Sequence, residues 1–319
     1  MKQESRSLLL RRADLGDLPE IRRISGRIRR GDYVPAAFPR WLRDPRSYTM
    51  VAEQDGRVVA VSRARLVTHD EAWGQGIRVD PRAQGQGIGR AITRHWPNVL
   101  YRRGAQVARV AVLAGNRRSR RMVASSGFRV VARMVWRGWW GQALREARGG
   151  APSADVRRAR DTARVWSRIS KTRALARTGR LVLAGDYYAV LTRARASRYA
   201  RRGDAYFARR AFCLLDRRRI GLLPCRGWWI VALGGPPRAA AALARAIVRR
   251  AARRGVREVW IDAGSDRAIV RALDRVGFTP PRGWDEVLIM AARLPLKPAP
   301  RTDARSARAR ESRPARRTR

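Results

Sequence analysis

Cysteine is nearly missing from this chain: Cys213 and Cys225 are its two examples in 319 residues. Two cysteines make no disulfide framework, and without further Cys or His partners at ligand spacing they make no zinc site. Both read as small buried residues, and no metal is expected. Long apolar runs are missing too. Leu8–Leu10 is too short for the apolar region of a signal peptide and runs straight into Arg11 and Arg12. No stretch approaches the roughly 18 apolar residues of a membrane span. The expectation is a cytoplasmic protein with no membrane contact.

Acidic residues are scarce, 25 Asp and Glu against 72 Lys and Arg, giving a net charge of +47 and a pI of about 12. Such a balance points first to nucleic acid or another polyanion. Lysine, however, is reduced to Lys2, Lys171 and Lys297. Arginine supplies the rest and is spread over nearly every segment, as GC-rich codon usage would spread it. A patch evolved for phosphate would concentrate on one face. The charge therefore implies weak, salt-sensitive sticking to nucleic acid rather than specific recognition. Hydrophobic residues make up 45%, a globular share, and the length suits two domains.

The pattern along the chain alternates between strand and helix. Ser7–Arg11 reads as a strand, and Asp14 or Asp17 caps a helix to about Arg30 with Leu18, Ile21, Ile24 and Ile28 at helical spacing. Tyr48–Glu53 and Arg57–Val67 read as strands joined by the turn Asp55-Gly56, and Glu71–Val79 as a third. A glycine-rich turn follows, then a helix over Ile88–Arg103, a strand over Val107–Leu113, a helix over Arg117–Ser126 and a strand over Phe128–Trp136. This α/β domain spans residues 1–145. Ala147–Ser153 reads as a linker.

A second domain is expected over 150–295. It has helices over Asp155–Arg177, Leu191–Arg202, Arg238–Arg254 and Asp266–Val276, and strands over Tyr206–Leu215, Trp228–Leu233, Val256–Ile261 and Val287–Leu294. Residues 296–319, rich in Arg, Ala, Ser and Pro, read as a disordered basic tail. The halves repeat each other. Arg103-Gly104 and Arg254-Gly255 each close a helix, and Gly127-Phe128 and Gly277-Phe278 follow after 23 and 22 residues. The shared helix–strand–helix–Gly-Phe–strand order points to a duplicated domain.

One segment carries chemistry. Asp80-Pro81-Arg82-Ala83-Gln84-Gly85-Gln86-Gly87-Ile88-Gly89-Arg90 follows a strand and opens a helix. Gly85, Gly87 and Gly89 remove side chains where the backbone must turn tightly and approach a ligand. The N–H groups from Gly85 to Arg90 then converge beside the positive end of a helix, a cradle for a diphosphate. A Walker loop needs Gly-Lys-Ser/Thr, which is missing here. A dinucleotide fingerprint needs different glycine spacing near the first strand.

The segment resembles the pyrophosphate motif of the GNAT acyltransferases. Asn116-Arg117-Arg118-Ser119-Arg120-Arg121-Met122, ending at Gly127-Phe128, is similar to that family's next motif. The resemblance implies an N-acetyltransferase using acetyl-CoA as co-substrate. It also implies an α/β fold built as two tandem GNAT-like domains, each a mixed, mostly antiparallel sheet flanked by helices. Two parallel strands, those of Val79 and of Val107–Leu113, should splay to admit the cofactor. The cofactor would lie on the backbone of Val79 and on Gln84, Gly85, Gln86, Gly87, Ile88, Gly89, Arg90, Asn116 and Ser119.

The implied reaction is direct attack of a primary amine, on a small molecule or a protein, upon the acetyl thioester. An ammonium has no lone pair, and a carboxylate within reach, or one acting through water, can take its proton. Glu71 is the candidate base. It shares strand parity with Trp73, Ile77 and Val79 unless a bulge at Gly74 to Gly76 intervenes. The tyrosine that the family often supplies as acid, seven residues after the Asn, is Val123 here, which leaves water, a hydroxyl such as Ser125, or no acid at all. His95 reads as structural. His69 lies next to the proposed active strand, and Trp73 is a core aromatic or a wall of the acceptor pocket.

Counting back from Gly255 as from Gly104, the three glycines become Pro236, Arg238 and Ala240, and Asp266 stands for Asn116. Proline has no N–H to donate. The second domain thus resembles a GNAT fold that has lost its cofactor site. The competing reading is a non-catalytic tandem protein that senses acyl-CoA or binds polyanions by charge.

Overall fold

The computed structural model describes residues 7–149, 156–217, 227–281, 283 and 286–296. Residues 297–319, Cys225 and most of the expected linker lie outside them. The first half runs β1 (Leu8–Arg12), α1 (Leu18–Ile28), α2 (Tyr33–Arg43), β2 (Ser47–Gln54), β3 (Arg57–Leu66), β4 (Glu71–Val79), α3 (Ile88–Tyr101), β5 (Val107–Leu113), α4 (Arg117–Ala124) and β6 (Arg129–Trp140). A short α5 (Gly141–Glu146) leads on. The second half opens with β7 (Arg157–Arg158), α6 (Thr162–Ser170), α7 (Arg173–Ala176), β8 (Leu181–Leu183), β9 (Tyr188–Val190) and α8 (Arg193–Arg201). It continues with β10 (Ala205–Ala208), β11 (Ala211–Asp216), β12 (Trp228–Gly234), α9 (Pro237–Ala252), β13 (Glu258–Asp262), α10 (Arg267–Arg275) and β14 (Glu286–Arg293).

Local chemistry accounts for most of these boundaries. Asp14 caps a short 3₁₀ turn, its own backbone N–H donating in return to Asp17 Oδ2, and α1 follows directly. Asp55 and Gly56, both at positive φ, make the β2–β3 hairpin turn. The sequence reading had no counterpart of α2, which contains Pro35 and Pro39. Asp32 caps it, and Val34, Ala37, Phe38 and Trp41 form a buried stripe. Burying that stripe outweighs the backbone bond that Pro39 cannot donate. The long helix expected over Asp155–Arg177 is instead β7, α6 and α7, because the cap at Asp161 starts the helix late. The single strand expected over Tyr206–Leu215 is a hairpin, turning at Arg209 with φ 51°.

The halves share one mixed, mostly antiparallel sheet of twelve strands, flanked by helices, where two separate sheets were expected. Its order is β1-β2-β3-β4-β5-β14-β6-β13-β12-β11-β10-β7. The pairs β4–β5 and β12–β13 are parallel, at equivalent places in the repeat. The final strands are exchanged. β14 lies between β5 and β6, and β6 pairs on its other side with β13. Each half thereby covers a strand edge that the other would leave open. The repeat is visible in side chains too: Asn116 and Asp266 cap α4 and α10, and Phe128 and Phe278 are each 2% exposed.

The core has four parts. α3 packs through Ile88, Ile92, Trp96 and Leu100 on one face of β2–β5. α1 and α2 cover Val51, Val58 and Val61 on the other. α9 and α10 cover one face of the second half. The fourth part joins the halves: Trp73, Met134 and Trp136 pack with Tyr188, Trp229 and Ile289. Trp73 is 1% exposed and its ring centroid lies 6.1 Å from that of Tyr188, so it is a core aromatic at the joint.

Candidate active site

The parallel pairing of β4 with β5 runs from Glu71↔Val107 to Gly74↔Val110 and then stops. Beyond it, Gln75–Val79 and Ala111–Leu113 part, as the family resemblance implied. A bulge accompanies the parting. Arg63 faces Gln75 but Val61 faces Arg78, so β4 carries one extra residue, and Gly76 within it sits at φ 69°. A side chain at Gly76 would also strike the Trp41 ring, 2.5 Å from an added Cβ. The bulge changes the parity along β4. Glu71, Trp73, Gln75 and Arg78 share a face, and Val79 turns to the opposite one.

The glycine loop lies at the end of β4. Asp80, 4% exposed, caps a 3₁₀ turn and accepts from Arg23 and, at 3.0 Å, from Arg27 of α1. Burial works against its charge, but the Arg23 hydrogen bond and the two guanidiniums hold the carboxyl below its usual range. This knot fixes the start of the loop. Gly85 and Gly87 then sit at φ 90° and 80°, and a Cβ at either would meet nothing within 4 Å. Their need for glycine is conformational, and the space above them is open. Gly89 is different: an added Cβ would lie 2.6 Å from Met122 Sδ, so it permits the close approach of α3 to α4. The first N–H groups of α3 have no carbonyl partner within the helix and face outward with its positive end. The loop fits a diphosphate.

The surrounding side chains are held by one another. Gln84 Nε2 donates to Val79 O at 3.1 Å, and its Oε1 accepts from Arg118 of α4. Gln86 Oε1 accepts from Gln54 Nε2 at 3.1 Å. Asn116 Oδ1 accepts from Ser119 N at 3.0 Å, which makes it the cap of α4. Val79, the Gln84–Arg90 loop and the head of α4 are thus brought together at the mouth of the strand gap. Glu71 stands apart, at the far end of β4. Its Oε1 lies 2.8 Å from Arg109 Nη1 on β5, its Oε2 is buried without a hydrogen-bond partner, and its side chain is 12% exposed.

Val123 is 4% exposed within the core under α4, so no ionisable group replaces the missing tyrosine there. Ser125 spends its hydroxyl on Met122 O at 2.8 Å. His69 lies in the β3–β4 turn with its side chain 94% exposed. His95 stacks on Tyr48, with Nε2 3.2 Å from the Tyr48 hydroxyl, and burial lowers its pKa. Cys213 is fully buried, which pushes its thiol pKa up.

Sequence reasoning missed Gln75, Arg63 and Asp186. Gln75 is the first β4 residue beyond the last paired rung. Its Nε2 lies 3.2 Å from Asp186 Oδ2, which also accepts from Arg63 Nη1 at 2.9 Å. Asp186 comes from the β8–β9 loop, so the second half reaches the face of β4 beside the gap. The only sequence signal was a Gly-Asp-Tyr-Tyr turn, which names no partner.

At the equivalent place in the second half, β12 and β13 pair as far as Ile230↔Ile261. There Pro236 is the N-cap of α9 and Pro237 its first residue, so two donors are missing where the first half presents its loop.

A parallel strand pair parting at a bulge, with a glycine cradle opening the next helix, is the arrangement that the GNAT resemblance implied. Residues 16–128 match the Acetyltransferase (GNAT) family, and they form a GNAT acetyltransferase domain. Probable N-acetyltransferase 16 of Homo sapiens is 32% identical over 98 residues, 30% of this chain and 27% of that protein. The match thus spans about a quarter of the relative's length. A GCN5-related N-acetyltransferase from Sphaerobacter thermophilus is similar in structure at TM-score 0.61 and 16% identity, over 90% of this chain and 95% of that one. A tandem GNAT protein from the clavulanic acid biosynthesis pathway is similar at TM-score 0.55 and 16% identity, over 92% and 100%. At these identities the likeness is one of fold, and it runs through both halves. No helix among the described residues is long and apolar enough to cross a membrane.

Proposed function

We propose that this chain is a cytoplasmic N-acetyltransferase that transfers an acetyl group from acetyl-CoA to a primary amine by direct attack in a ternary complex. The observation that carries this reading is the cradle at the head of α3, opening beside the gap between β4 and β5. Acetyl-CoA supplies an acetyl thioester. The N–H groups of Gly85 through Arg90 bind its diphosphate, with Gln84, Gln86, Asn116 and Ser119 around them and the Val79 backbone along the gap. At the equivalent place the second half has Pro236 and Pro237 instead of such a loop, and it serves the acceptor side. Glu71 is the proposed proton acceptor: Arg109 occupies one oxygen and leaves Oε2 with a free lone pair on the same face as Gln75.

The test is calorimetric titration with acetyl-CoA and with CoA, followed by an assay of thiol release over a panel of amines. Saturable binding with amine-dependent thiol release is expected. Absence of acetyl-CoA binding sinks the reading. Binding with no thiol release for any amine would favour a non-catalytic acyl-CoA sensor.

A further inference from the structure

A cavity of about 330 Å³ opens where the second half meets Arg65 of β3 in the first. Its walls are strongly biased in charge. Arg195 and Arg198 line it from α8, Arg202 from the C-cap of that helix, and Arg65 from β3. Two carboxylates line it, Asp186 and Asp216. Asp186 is already engaged by Arg63 and Gln75, and Arg65 leans on Asp44 with Nε 3.1 Å from Oδ2. Arg198 and Arg202 make no ion pair among the described residues. A concave site with an excess of guanidinium selects an anion, because the planar fork matches carboxylate or phosphate oxygens and is only lightly hydrated. The volume lies at the small end of ligand pockets, which suits a metabolite better than a peptide.

The position gives this charge a use. Asp186 forms one wall and touches Gln75, the first residue of β4 past the last paired rung. A molecule with its anionic end on α8 would lie with its other end toward the strand gap. We infer that this cavity binds the anionic group of the acceptor, a small amine that also carries a carboxylate or phosphate. The second half supplies most of this recognition through α8, its C-cap and the β8–β9 loop. The inference rests on the acetyltransferase reading for the amine, but anion binding at α8 can be measured without it.

The test titrates the whole protein with glutarate and with inorganic phosphate at fixed ionic strength, the two arms separating carboxylate from phosphate. Three proteins are compared: wild type, Arg198→Glu/Arg202→Glu, and a control of equal charge change, Arg267→Glu/Arg271→Glu, on the exposed face of α10. Loss of two charge-assisted contacts should weaken the preferred anion by roughly tenfold to a hundredfold in the cavity variant. The control should bind as wild type does. Arg198→Gln/Arg202→Gln should show the same direction of change if charge reversal disturbs the fold. Equal weakening in the control, or no binding of either anion to wild type, overturns the inference. With acetyl-CoA present, the cavity variant should raise KM for anionic amines and leave kcat and acetyl-CoA affinity unchanged. Equal KM values for anionic amines and their neutral amides overturn the inference alone, whereas failure of acetyl-CoA to bind overturns the acetyltransferase reading.

Discussion

Arg63 Nη1 lies 2.9 Å from Asp186 Oδ2, joining β3 to a loop 123 residues further along the chain. Arg63 is 4% exposed and also meets Asp44 at 2.8 Å and Ser47 Oγ at 2.9 Å. Its charge is therefore shared between a carboxylate from each half. Asp186→Ala should cost about 1–3 kcal/mol, since Asp44 still answers the charge. Asp44→Ala/Asp186→Ala should cost more than the sum of the two single changes, because the last loss leaves a buried guanidinium without a counter-charge, worth about 3–5 kcal/mol. Urea unfolding of the four proteins measures this. Strict additivity would show that Asp44 and Asp186 act on Arg63 independently and do not share its charge.

That contact also marks where the sequence stops being legible. The glycine loop could be read from Gly85 to Arg90 because its chemistry is local: a strand, a turn and a helix head in eleven residues. The repeat could be read from Gly104, Gly127, Gly255 and Gly277 because spacing is preserved. Strand exchange could not be read, since nothing local in β6 or β14 names the strand it will pair with. α2 was hidden by Pro35 and Pro39, whose local cost is repaid by Phe38 and Trp41 in a distant core. The Arg65–Asp186–Arg198 cavity draws on three separate segments, and Glu71 carried no sign that Arg109 would be its partner.

Stability should depend on pH through Asp262. Burial pushes its carboxyl up to about 7, with Tyr188 and the Gly264 N–H as polar neighbours. Between the unfolded value near 4 and the folded value the native state binds the extra proton, so stability is greatest below about pH 4 for this group and falls as pH rises through about 7. The full effect is on the order of 4 kcal/mol as an upper figure. Asp262→Asn should flatten the fall between pH 5 and 8 that this group causes. Unchanged slopes in thermal melts across that range would assign the pH dependence elsewhere.

Cofactor binding should depend on the first half's loop alone. Gly87→Pro forces φ from 80° to near −65° and deletes a donor at the head of α3, so acetyl-CoA binding should weaken by a few kcal/mol. Arg238→Ala, at the matching place in α9, should leave affinity within a factor of about two, as expected for a surface change away from a site. Calorimetry on both variants decides it, and comparable losses would mean that both halves bind acetyl-CoA.

Glu71 gives the sharpest kinetic prediction. If its free Oε2 takes the proton from the acceptor, Glu71→Gln should lower turnover roughly a hundredfold. The loss should shrink as pH approaches the acceptor's own pKa, about 10.4 for a lysine-like amine, because solution then supplies the free amine. Acetyl-CoA affinity should hardly move, since eight residues of β4, about 26 Å at strand rise, separate Glu71 from Val79. The same change weakens the ion pair with Arg109, whose side chain is 14% exposed, so some loss of stability is expected in either case. Turnover must therefore be compared well below the variant's melting temperature. A stability loss with wild-type turnover at every pH would make Glu71 a structural partner of Arg109. A turnover loss independent of pH would mean that it orients the acceptor. Asp186→Asn then becomes the next variant to assay, because Asp186 is the carboxylate that meets Gln75 beside the gap.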